Sequence, residues 1–323
     1  MNRSQQDSQN KASSVKALVT GAGGFIASYL IPELLDLGVE VVAFDIAENP
    51  AGLENIRDRI TYVRGDLASP ADLYRTMMTC QPTEVFHLGS ILAGPCEDNP
   101  IRGFKINFES TMTLLDASRA LHVRRFIMIS SIAVFGKDAA EPVQDEAIKN
   151  PANVYGQTKL ASEHMLLWYA RQHGLDTRAL RFAWVFGPGR KTGITAIYSS
   201  LLLDAIAHDE SLEVTNPDET GDWLYVKDAV KAILTVWQAK EPGQRIYNVA
   251  GGVHSIRDVI GIAKHIKPEA RIILQEGSGA ASPYPSAYDD RVFRKETGFK
   301  PDYTIEQAVR EHLEIVSVKK AVS

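Results

Sequence analysis

Short apolar runs alternate with segments of helical periodicity along most of the chain. The runs are rich in Val, Ile, Leu and Phe, which is typical of strands buried on both faces of a parallel sheet. The pattern predicts strands at Lys16–Thr20, Glu40–Asp45, Ile60–Arg64, Glu84–Leu88, Arg125–Ser130, Asp176–Arg181 and Arg245–Val249. It predicts helices at Ile26–Leu37, Pro70–Thr79, Ile106–Leu121 and Val154–Gln172. This alternation indicates an α/β fold with a doubly wound parallel sheet.

The pattern changes after Phe186, where the loops become longer and richer in Gly, Ser and Pro. One loop opens with "GPGRKTG" (187–193), and another contains "QEGSGAASPYPSAYDD" (275–290). Such loops commonly lie over the ends of the strands and carry function. We therefore expect a sheet domain at 15–182 and 222–250, a smaller cap at 183–221 and 251–316, and a disordered polar tail at 1–14.

Composition narrows the choice of partners. The 323 residues carry a formal net charge of −5, with acidic and basic residues interspersed, so we expect a small-molecule partner and neither nucleic acid nor a membrane surface. Two cysteines, Cys80 and Cys96, provide neither a metal site nor a disulfide framework. The chain shows no signal-peptide core and no run near the roughly 18 apolar residues of a membrane span. These features predict a cytoplasmic protein.

A glycine cluster interrupts the first apolar run, in "LVTGAGGFIAS" (18–28). Gly21 follows the strand, Gly24 would let backbone amides approach a pyrophosphate, and Ala27 occupies the third small position. Asp45 ends the next strand, where a carboxylate would accept both ribose hydroxyls and repel a 2′-phosphate. The pattern therefore favours NAD over NADP. The alternatives are glycines that serve only to turn the chain and a solvated Asp45.

A second group of polar residues surrounds "VYGQTKLASEHM" (154–165). Tyr155 and Lys159 are four residues apart, so on a helix they share one face. A neighbouring ammonium would lower the pKa of the phenol and let Tyr155 exchange a proton with a substrate hydroxyl. Ser131, at the end of an earlier strand, could bond the same oxygen. Each residue also has an ordinary alternative, on a solvent-exposed helix face or as a cap.

The motifs also occur in a characteristic order. In sequence they are "TGAGGFIAS", Asp45, "GDL" (65–67), "HLGS" (87–90), Asn107, "SSIAVFG", Tyr155 with Lys159, "RFAWVFGPG", "DWLYVKDAV" and "GFKPDYTIEQAV". From about Lys16 to Leu313 the chain thus resembles the extended short-chain dehydrogenase/reductases, specifically the NAD-dependent epimerase/dehydratase family. The resemblance implies an NAD(P)-binding Rossmann fold with a smaller carboxy-terminal substrate-binding cap.

The resemblance also implies the roles of individual residues. The implied NAD-binding residues are Gly21, Gly24, Phe25, Ile26, Asp45, Asp66, Leu67, Leu88, Gly89, Ser90, Asn107, Tyr155 and Lys159. The implied catalytic set is Ser131, Tyr155 and Lys159, with Tyr155 as the acid/base and Lys159 on the nicotinamide ribose. The candidate substrate-binding residues are Ser90, Ser131, Trp184 and Arg190. No metal is implied.

Two departures from the family pattern bear on the substrate. Nucleotide-sugar members usually have asparagine where this chain has Trp184, and arginine where it has Gly221. Both positions serve the substrate's diphosphate in those members. The sequence therefore predicts a nucleotide-linked substrate less strongly than it predicts the fold. Trp184 could instead serve as core packing. No acidic residue follows Ser131, as it does in dehydratase members, so dehydration is disfavoured.

These observations predict NAD-dependent oxidoreduction at a secondary alcohol of a sugar or sugar-like substrate. A sugar or nucleotide-sugar epimerase is the first expectation. The alternatives are a dehydrogenase of a small hydroxy compound and, less favoured, a protein that binds NAD without turnover. The resemblance further implies a homodimer, in which helices from about Ile106 and Val154 form a four-helix bundle. Leu114, Leu115, Met165 and Leu166 could supply its apolar face, or could instead pack on the sheet.

Overall fold

The structure, a computed structural model, describes residues 15–275, 277 and 282–322. The predicted tail at 1–14 lies outside this range. The described strands are β1 (Lys16–Thr20), β2 (Glu40–Asp45), β3 (Thr61–Arg64), β4 (Glu84–His87), β5 (Arg125–Ser131), β6 (Asp176–Phe182), β7 (Trp184–Phe186), β8 (Leu212–Thr215), β9 (Thr220–Tyr225), β10 (Ile246–Val249), β11 (Val253–Ser255) and β12 (Ile272–Gln275).

The α-helices connect and flank these strands. They are α1 (Phe25–Asp36), α2 (Pro70–Cys80), α3 (Ala93–Asp98), α4 (Pro100–Phe104), α5 (Ser110–Ala120), α6 (Val154–His173), α7 (Ser200–Ala207), α8 (Val226–Gln238), α9 (Ile256–Ile266), α10 (Arg291–Thr297) and α11 (Ile305–Val322). Of α11, only the side chains up to residue 318 are described.

The main sheet is parallel and has seven strands in the order β10-β6-β5-β4-β1-β2-β3. This confirms the predicted doubly wound α/β fold, because all seven expected strands are present with ends shifted by no more than one residue. The strand order reverses between β1 and β4. In such sheets ligands bind in the crevice beyond the carboxyl ends of the strands at this reversal.

Local sequence explains where the helices begin and end. Asn153 caps α6 by accepting a hydrogen bond from the Gly156 amide at 2.8 Å, and Gly174 ends that helix with a φ of +67°. Ser69 caps α2, and Pro70 occupies its first turn. The helix predicted at Ile106–Leu121 is interrupted, because a π-helical turn at Lys105–Glu109 separates α4 from α5.

The remaining strands form two small sheets. One has the order β11-β9-β7, and the other pairs β12 with β8. They were absent from the predicted elements because their short strands lie among loops rich in Gly and Pro. Most of these residues belong to the ranges expected to form the cap, and the division into sheet domain and cap stays a prediction. In the part of the chain that the structure describes, no helix is both long and apolar enough to cross a membrane.

Four apolar residues of α5 and α6 had two alternatives in the sequence, a subunit interface or packing on the sheet. Leu114, Leu115 and Leu166 are fully buried, in a cluster with the strand residues Phe126 and Met128. Met165 is partly buried against the same cluster. Leu114, Leu115 and Leu166 therefore pack on the main sheet, as the ordinary alternative predicts, whereas Met165 keeps part of its surface exposed.

Candidate active site

Two adjoining cavities lie beyond the carboxyl ends of the main sheet. We call the first, of about 300 Å³, the tyrosine cavity because Tyr155 and Lys159 line it. The second, of about 270 Å³, is the aspartate cavity, lined by Asp45 and Asp66. Gly21 contributes to both, so the two cavities form one continuous groove across the reversal of strand order.

Nearly all of the predicted site residues line the groove. The tyrosine cavity holds Gly21, Gly24, Phe25, Ile26, Leu88, Ser90, Ser131, Tyr155, Lys159, Trp184 and Arg190. The aspartate cavity holds Gly21, Gly24, Asp45, Asp66, Leu67, Leu88, Gly89 and Ser90. Asn107 lies outside both cavities. Its buried amide donates to the Ile91 carbonyl at 2.9 Å and accepts from the Ile91 amide at 2.8 Å, so it fixes the loop that lines the aspartate cavity.

The glycine turn brings two strands close enough to form the floor of the groove. Gly21 has a φ of +67°, and a Cβ atom there would lie 2.5 Å from the Cα atom of Gly89. Both the backbone conformation and the contact therefore require glycine. Gly24 begins α1 without a side-chain cap and without an acidic residue in the first turn. The free amides of this helix terminus suit the pyrophosphate of a dinucleotide.

Asp45 lies where the adenosine ribose of such a dinucleotide would reach. Its Oδ2 accepts a hydrogen bond from the Gly23 amide at 2.9 Å, and its Oδ1 accepts one from the Ala47 amide at 3.0 Å. These bonds orient the carboxylate without neutralising it, and each oxygen retains accepting capacity. The residues present fit NAD, because the carboxylate can accept ribose hydroxyls and repel a 2′-phosphate.

The tyrosine cavity brings together the three residues of the predicted catalytic set. A Cβ atom on Gly156 would lie 2.1 Å from the Ala133 carbonyl oxygen, so glycine lets the start of α6 lie directly against the turn after β5. This close approach brings Tyr155 beside Ser131, and both side chains line the cavity. The Lys159 ammonium donates to the Ile129 carbonyl at 2.8 Å and lies 5.7 Å from the centre of the Tyr155 ring.

The electrostatics of the pair differ from the expectation. Burial raises the pKa of Tyr155, and the Ser131 hydroxyl and the Arg190 guanidinium lower it only in part. Burial also lowers the pKa of Lys159 to about 8. Burial outweighs the neighbouring charges at Tyr155, so the pair lacks the low tyrosine pKa that the spacing suggested. The reason is that both groups leave water for the same enclosed cavity, which penalises an anionic phenolate and a cationic ammonium alike.

A buried ion pair that was not foreseen from the sequence lies one helical turn from Lys159 of the predicted catalytic set. Glu163, one turn after Lys159, accepts from the Nε and Nη2 atoms of Arg181, both at 2.8 Å. The Ser130 hydroxyl donates to the same carboxylate at 2.6 Å. Glu163 also raises the pKa of Lys159. An acidic residue four positions after the lysine was the available signal.

Trp184 forms part of the cavity wall and is only 3% exposed. A Cβ atom on Gly221 would lie 2.7 Å from three atoms of its indole ring, so the indole occupies the space beside that glycine. Trp223 also packs against Trp184, with ring centroids 5.8 Å apart. Trp184 is therefore both a packing residue and a wall of the cavity.

Arg190 reaches the same cavity from the loop after β7. Its Nη2 donates to the Thr195 hydroxyl at 2.7 Å and its Nε to the Thr192 carbonyl at 3.3 Å, while its Nη1 donates to the Val185 carbonyl. Burial lowers the pKa of this guanidinium to about 10. A Cβ atom on Gly193 would lie 3.0 Å from Nη2, so glycine there leaves room for the arginine.

Tyr284 completes the cavity and was not foreseen, because it comes from the Gly/Ser/Pro segment that the sequence marks only as a loop. Its hydroxyl accepts from the Asn153 amide at 2.8 Å, and its carbonyl accepts from Lys137 at 2.9 Å. These bonds fix the loop over the start of α6. Among the described residues, no group of three His, Cys, Asp or Glu side chains is arranged to hold a metal ion.

The sheet, the glycine turn and the Ser-Tyr-Lys set together define an NAD-binding enzyme of the extended short-chain dehydrogenase/reductase class. The chain belongs to the NAD dependent epimerase/dehydratase family, which matches residues 17–250. Members of this family use NAD, and a related enzyme has been solved with it: the UDP-glucose 4-epimerase of Thermus thermophilus. That structure has a TM-score of 0.84 and 22% identity, covering 94% of this chain and 99% of its own.

Two relatives are named for different activities. The UDP-glucose 4-epimerase of Mycolicibacterium smegmatis is 32% identical over 252 residues, which cover 75% of this chain and 79% of the epimerase. The D-erythronate dehydrogenase of Cupriavidus necator is 27% identical over 334 residues, which cover 95% of this chain and all of the dehydrogenase. The chain is thus similar both to an epimerase and to a dehydrogenase.

Proposed function

We propose that this protein is an NAD-dependent dehydrogenase that oxidises a secondary alcohol of a small hydroxy compound without a nucleotide diphosphate. The observation that carries the proposal is the packing of Trp184 against Gly221. At these two positions nucleotide-sugar members usually present an amide and a guanidinium to a diphosphate. Here the amide is replaced by an indole, and the guanidinium by no side chain at all, so the polar contacts that a diphosphate requires are missing.

The full-length relative supports the same choice. The similarity to D-erythronate dehydrogenase spans 95% of this chain and therefore includes the carboxy-terminal region, whereas the similarity to the Mycolicibacterium epimerase spans 75%. Substrate specificity in α/β folds depends on loops at the ends of the strands. A small hydroxy compound thus agrees better with the whole chain than the epimerase substrate expected first.

The chemistry assigned to the chain's own residues follows from the cavity. NAD, when bound, supplies the acceptor for a hydride from the alcohol carbon. Lys159 uses one of its three donors on Ile129, so two remain for the nicotinamide ribose. Tyr155 accepts the proton of the alcohol, and Ser131 donates a hydrogen bond to the same oxygen as it becomes a carbonyl.

The direct test is to mix the purified protein with NAD and a panel of secondary alcohols. The panel contains small sugar acids, free sugars, polyols and nucleotide sugars. Accumulation of NADH and a keto product supports a dehydrogenase of small hydroxy compounds. Isomerised product without NADH means an epimerase. Binding of NAD without turnover of any compound contradicts a catalytic role.

Epimerisation is the second candidate, and the 32% identity to the Mycolicibacterium enzyme favours it. It needs the same Ser131, Tyr155 and Lys159, because the first step of both reactions is oxidation at a secondary alcohol. The reactions differ in whether the keto intermediate is reduced again before it leaves. The test is exchange of an isotope label between the product and added NADH. Exchange means that the enzyme releases reduced cofactor, and no exchange means that it retains the cofactor.

We further propose that the enzyme acts as a cytoplasmic homodimer through α5 and α6. Because Leu114, Leu115 and Leu166 are buried within the chain, the contact must use exposed side chains, such as Trp168, which is 40% exposed on α6. Sedimentation of the native protein and of Trp168→Asp tests this. A native monomer at micromolar concentration contradicts the dimer.

A further inference from the structure

We propose that the substrate carries a carboxylate, which Arg190 binds in the tyrosine cavity, so that the substrate class is a small hydroxy acid. This inference rests on the proposed function and adds the chemical group that selects the substrate. It begins from the surroundings of the arginine. Its three hydrogen bonds go to two backbone carbonyls and one hydroxyl, all of them uncharged oxygens.

The guanidinium has hydrogen-bonding capacity left over. Of its five N–H donors, these three contacts use one each on Nε, Nη1 and Nη2, so one donor remains on each terminal nitrogen. Donors on the two terminal nitrogens of a guanidinium can bind both oxygens of a carboxylate. Among the described residues, no Asp or Glu forms an ion pair with Arg190, although most other arginines of the fold have such a partner.

The cavity as a whole lacks negative charge. Its described lining includes two basic side chains, Arg190 and Lys159, and no Asp or Glu. The Lys159 ammonium is directed to the Ile129 carbonyl on the sheet side, whereas Arg190 enters from the opposite loop. A half-buried cation with no carboxylate of the described chain beside it is stabilised by an anionic ligand, and a substrate carboxylate would provide one in addition to the pyrophosphate expected at Gly24.

The position of Arg190 also limits the size of the substrate. Arg190 and Tyr155 both line this one cavity of about 300 Å³. A short molecule can therefore place its carboxylate on Arg190 and its alcohol on Tyr155 together. Trp184 closes the wall beside them.

The reaction with such a substrate is balanced. The alcohol C–H bond breaks and its electron pair leaves as hydride to NAD, while the O–H proton passes to Tyr155 and then to solvent. The carbon–oxygen bond becomes a carbonyl, so the hydroxy acid is oxidised by two electrons to a keto acid. The carboxylate is unchanged and serves only to hold and orient the molecule.

The first experiment uses the native protein and pairs of compounds that differ only in charge. Sugar acids, including D-erythronate, are compared with the polyols of the same carbon skeleton and with the amides of the same acids, all with saturating NAD. We expect kcat/KM to be higher for the acids by on the order of 10² to 10³, the loss typical of removing one member of a buried charged pair. Equal oxidation of acid and polyol, or a preference for sugar phosphates over acids, overturns the inference.

The second experiment compares Arg190→Met with Lys191→Met. Lys191 is the adjacent cation, but it is exposed and does not line the cavity, so it is a matched control. Arg190→Met should raise KM for the acids far more than KM for the polyols, whereas Lys191→Met should behave as the native protein. Arg190→Lys should recover part of the loss. An equal loss on acids and polyols contradicts a carboxylate site.

A third measurement does not depend on turnover. Butyrate has a carboxylate but no alcohol, and its binding to the NADH-saturated protein is measured by calorimetry. We expect binding to the native protein and to Lys191→Met, and none to Arg190→Met that still binds NADH. Butyrate binding that is unchanged in Arg190→Met overturns the inference. If butyrate binds through Arg190 but no alcohol yields NADH, the carboxylate site is supported and the dehydrogenase function fails.

Discussion

Trp184 and Gly221 fit together as one unit. The indole of Trp184 lies so close to Gly221 that a single Cβ atom at residue 221 would come within 2.7 Å of three of its ring atoms. Each residue looks like a separate departure from the family pattern in the sequence. In the structure the indole on β7 fits only because residue 221 on β9 has no side chain. The two changes together remove the amide and the guanidinium and close the wall of the tyrosine cavity.

Gly221→Ala should therefore destabilise the protein. The added methyl overpacks the indole, and we expect a loss of about 1–3 kcal/mol in the free energy of unfolding. Gly261→Ala is the matched control, because that glycine lies on the exposed side of α9 with nothing near its missing Cβ. It should be neutral or slightly stabilising. Denaturant unfolding measures both, and equal effects at the two positions would argue against the close packing.

The same pair should show coupling. Trp184→Phe shortens the ring that meets residue 221, so the double variant Trp184→Phe/Gly221→Ala should lose less than the sum of the single variants. Additive losses in the free energy of unfolding would mean that the two positions are independent.

Tyr155→Phe should remove most turnover while leaving NAD binding intact. The ring keeps its packing, but the proton acceptor is lost, and general acid/base groups typically contribute about 10² to 10⁴ in rate. Ser131→Ala should cost as much or less, because Tyr155 and Lys159 stay in place. The control is Tyr74→Phe, at a tyrosine that is 42% exposed on α2. Near-native turnover by Tyr155→Phe would exclude the assigned mechanism.

The sequence was sufficient for the main sheet because its signals are local. Each buried strand is a short apolar run, and the strand-to-helix turn requires glycine at Gly21, so both could be recognised without knowledge of the fold. The tyrosine cavity also depends on contacts between distant segments. Glu163 with Arg181, and Tyr284 over Asn153, become visible only when the chain is folded.

The pKa of Tyr155 shows the same limit in physical terms. Helical spacing correctly indicates that Tyr155 and Lys159 share a face, but it carries no information about how far they are removed from water. Burial then dominates the pKa of both groups. Leu114 and Leu166 show the same limit. An apolar helix face can pack on a sheet or on a partner subunit, and the sequence pattern does not distinguish the two arrangements.

Asp45→Ala should weaken the preference for NAD over NADP. The native carboxylate accepts hydrogen bonds from the Gly23 and Ala47 amides and directs its charge toward the ribose side of the aspartate cavity. Without it, the repulsion of a 2′-phosphate disappears together with two backbone contacts. Fluorescence titration with NADH and NADPH measures the ratio of the two dissociation constants. Equal affinity of the native protein for both cofactors would be incompatible with this role.

Oxidation of the alcohol should become faster as the pH rises above neutral. Tyr155 must be deprotonated to accept the proton, and burial raises its pKa above the ordinary value of 10.0 in the protein without NAD. Reduction of the keto product needs the protonated phenol and should not share this rise. Because the Arg190 charge lowers the pKa of Tyr155, Arg190→Met should move the oxidation profile to higher pH when measured with a polyol. A profile that is flat in the oxidative direction would contradict proton acceptance by Tyr155.

Lys159 should make the stability of the protein depend on pH in a defined window. Burial lowers its pKa from the ordinary 10.5 to about 8 in the folded chain, so between these values the unfolded chain binds more protons at this group than the folded chain does. The free energy of unfolding must then rise with pH from about 8 to 10.5, and the contribution is unfavourable below that window. Lys159→Met removes the titrating group, so the difference in stability between this variant and the native protein should shrink or reverse as the pH increases. Denaturant unfolding of both proteins without NAD across the window measures the effect, with Lys191→Met as the exposed-lysine control. A difference that stays constant with pH would show that the folded protein holds Lys159 at its ordinary pKa.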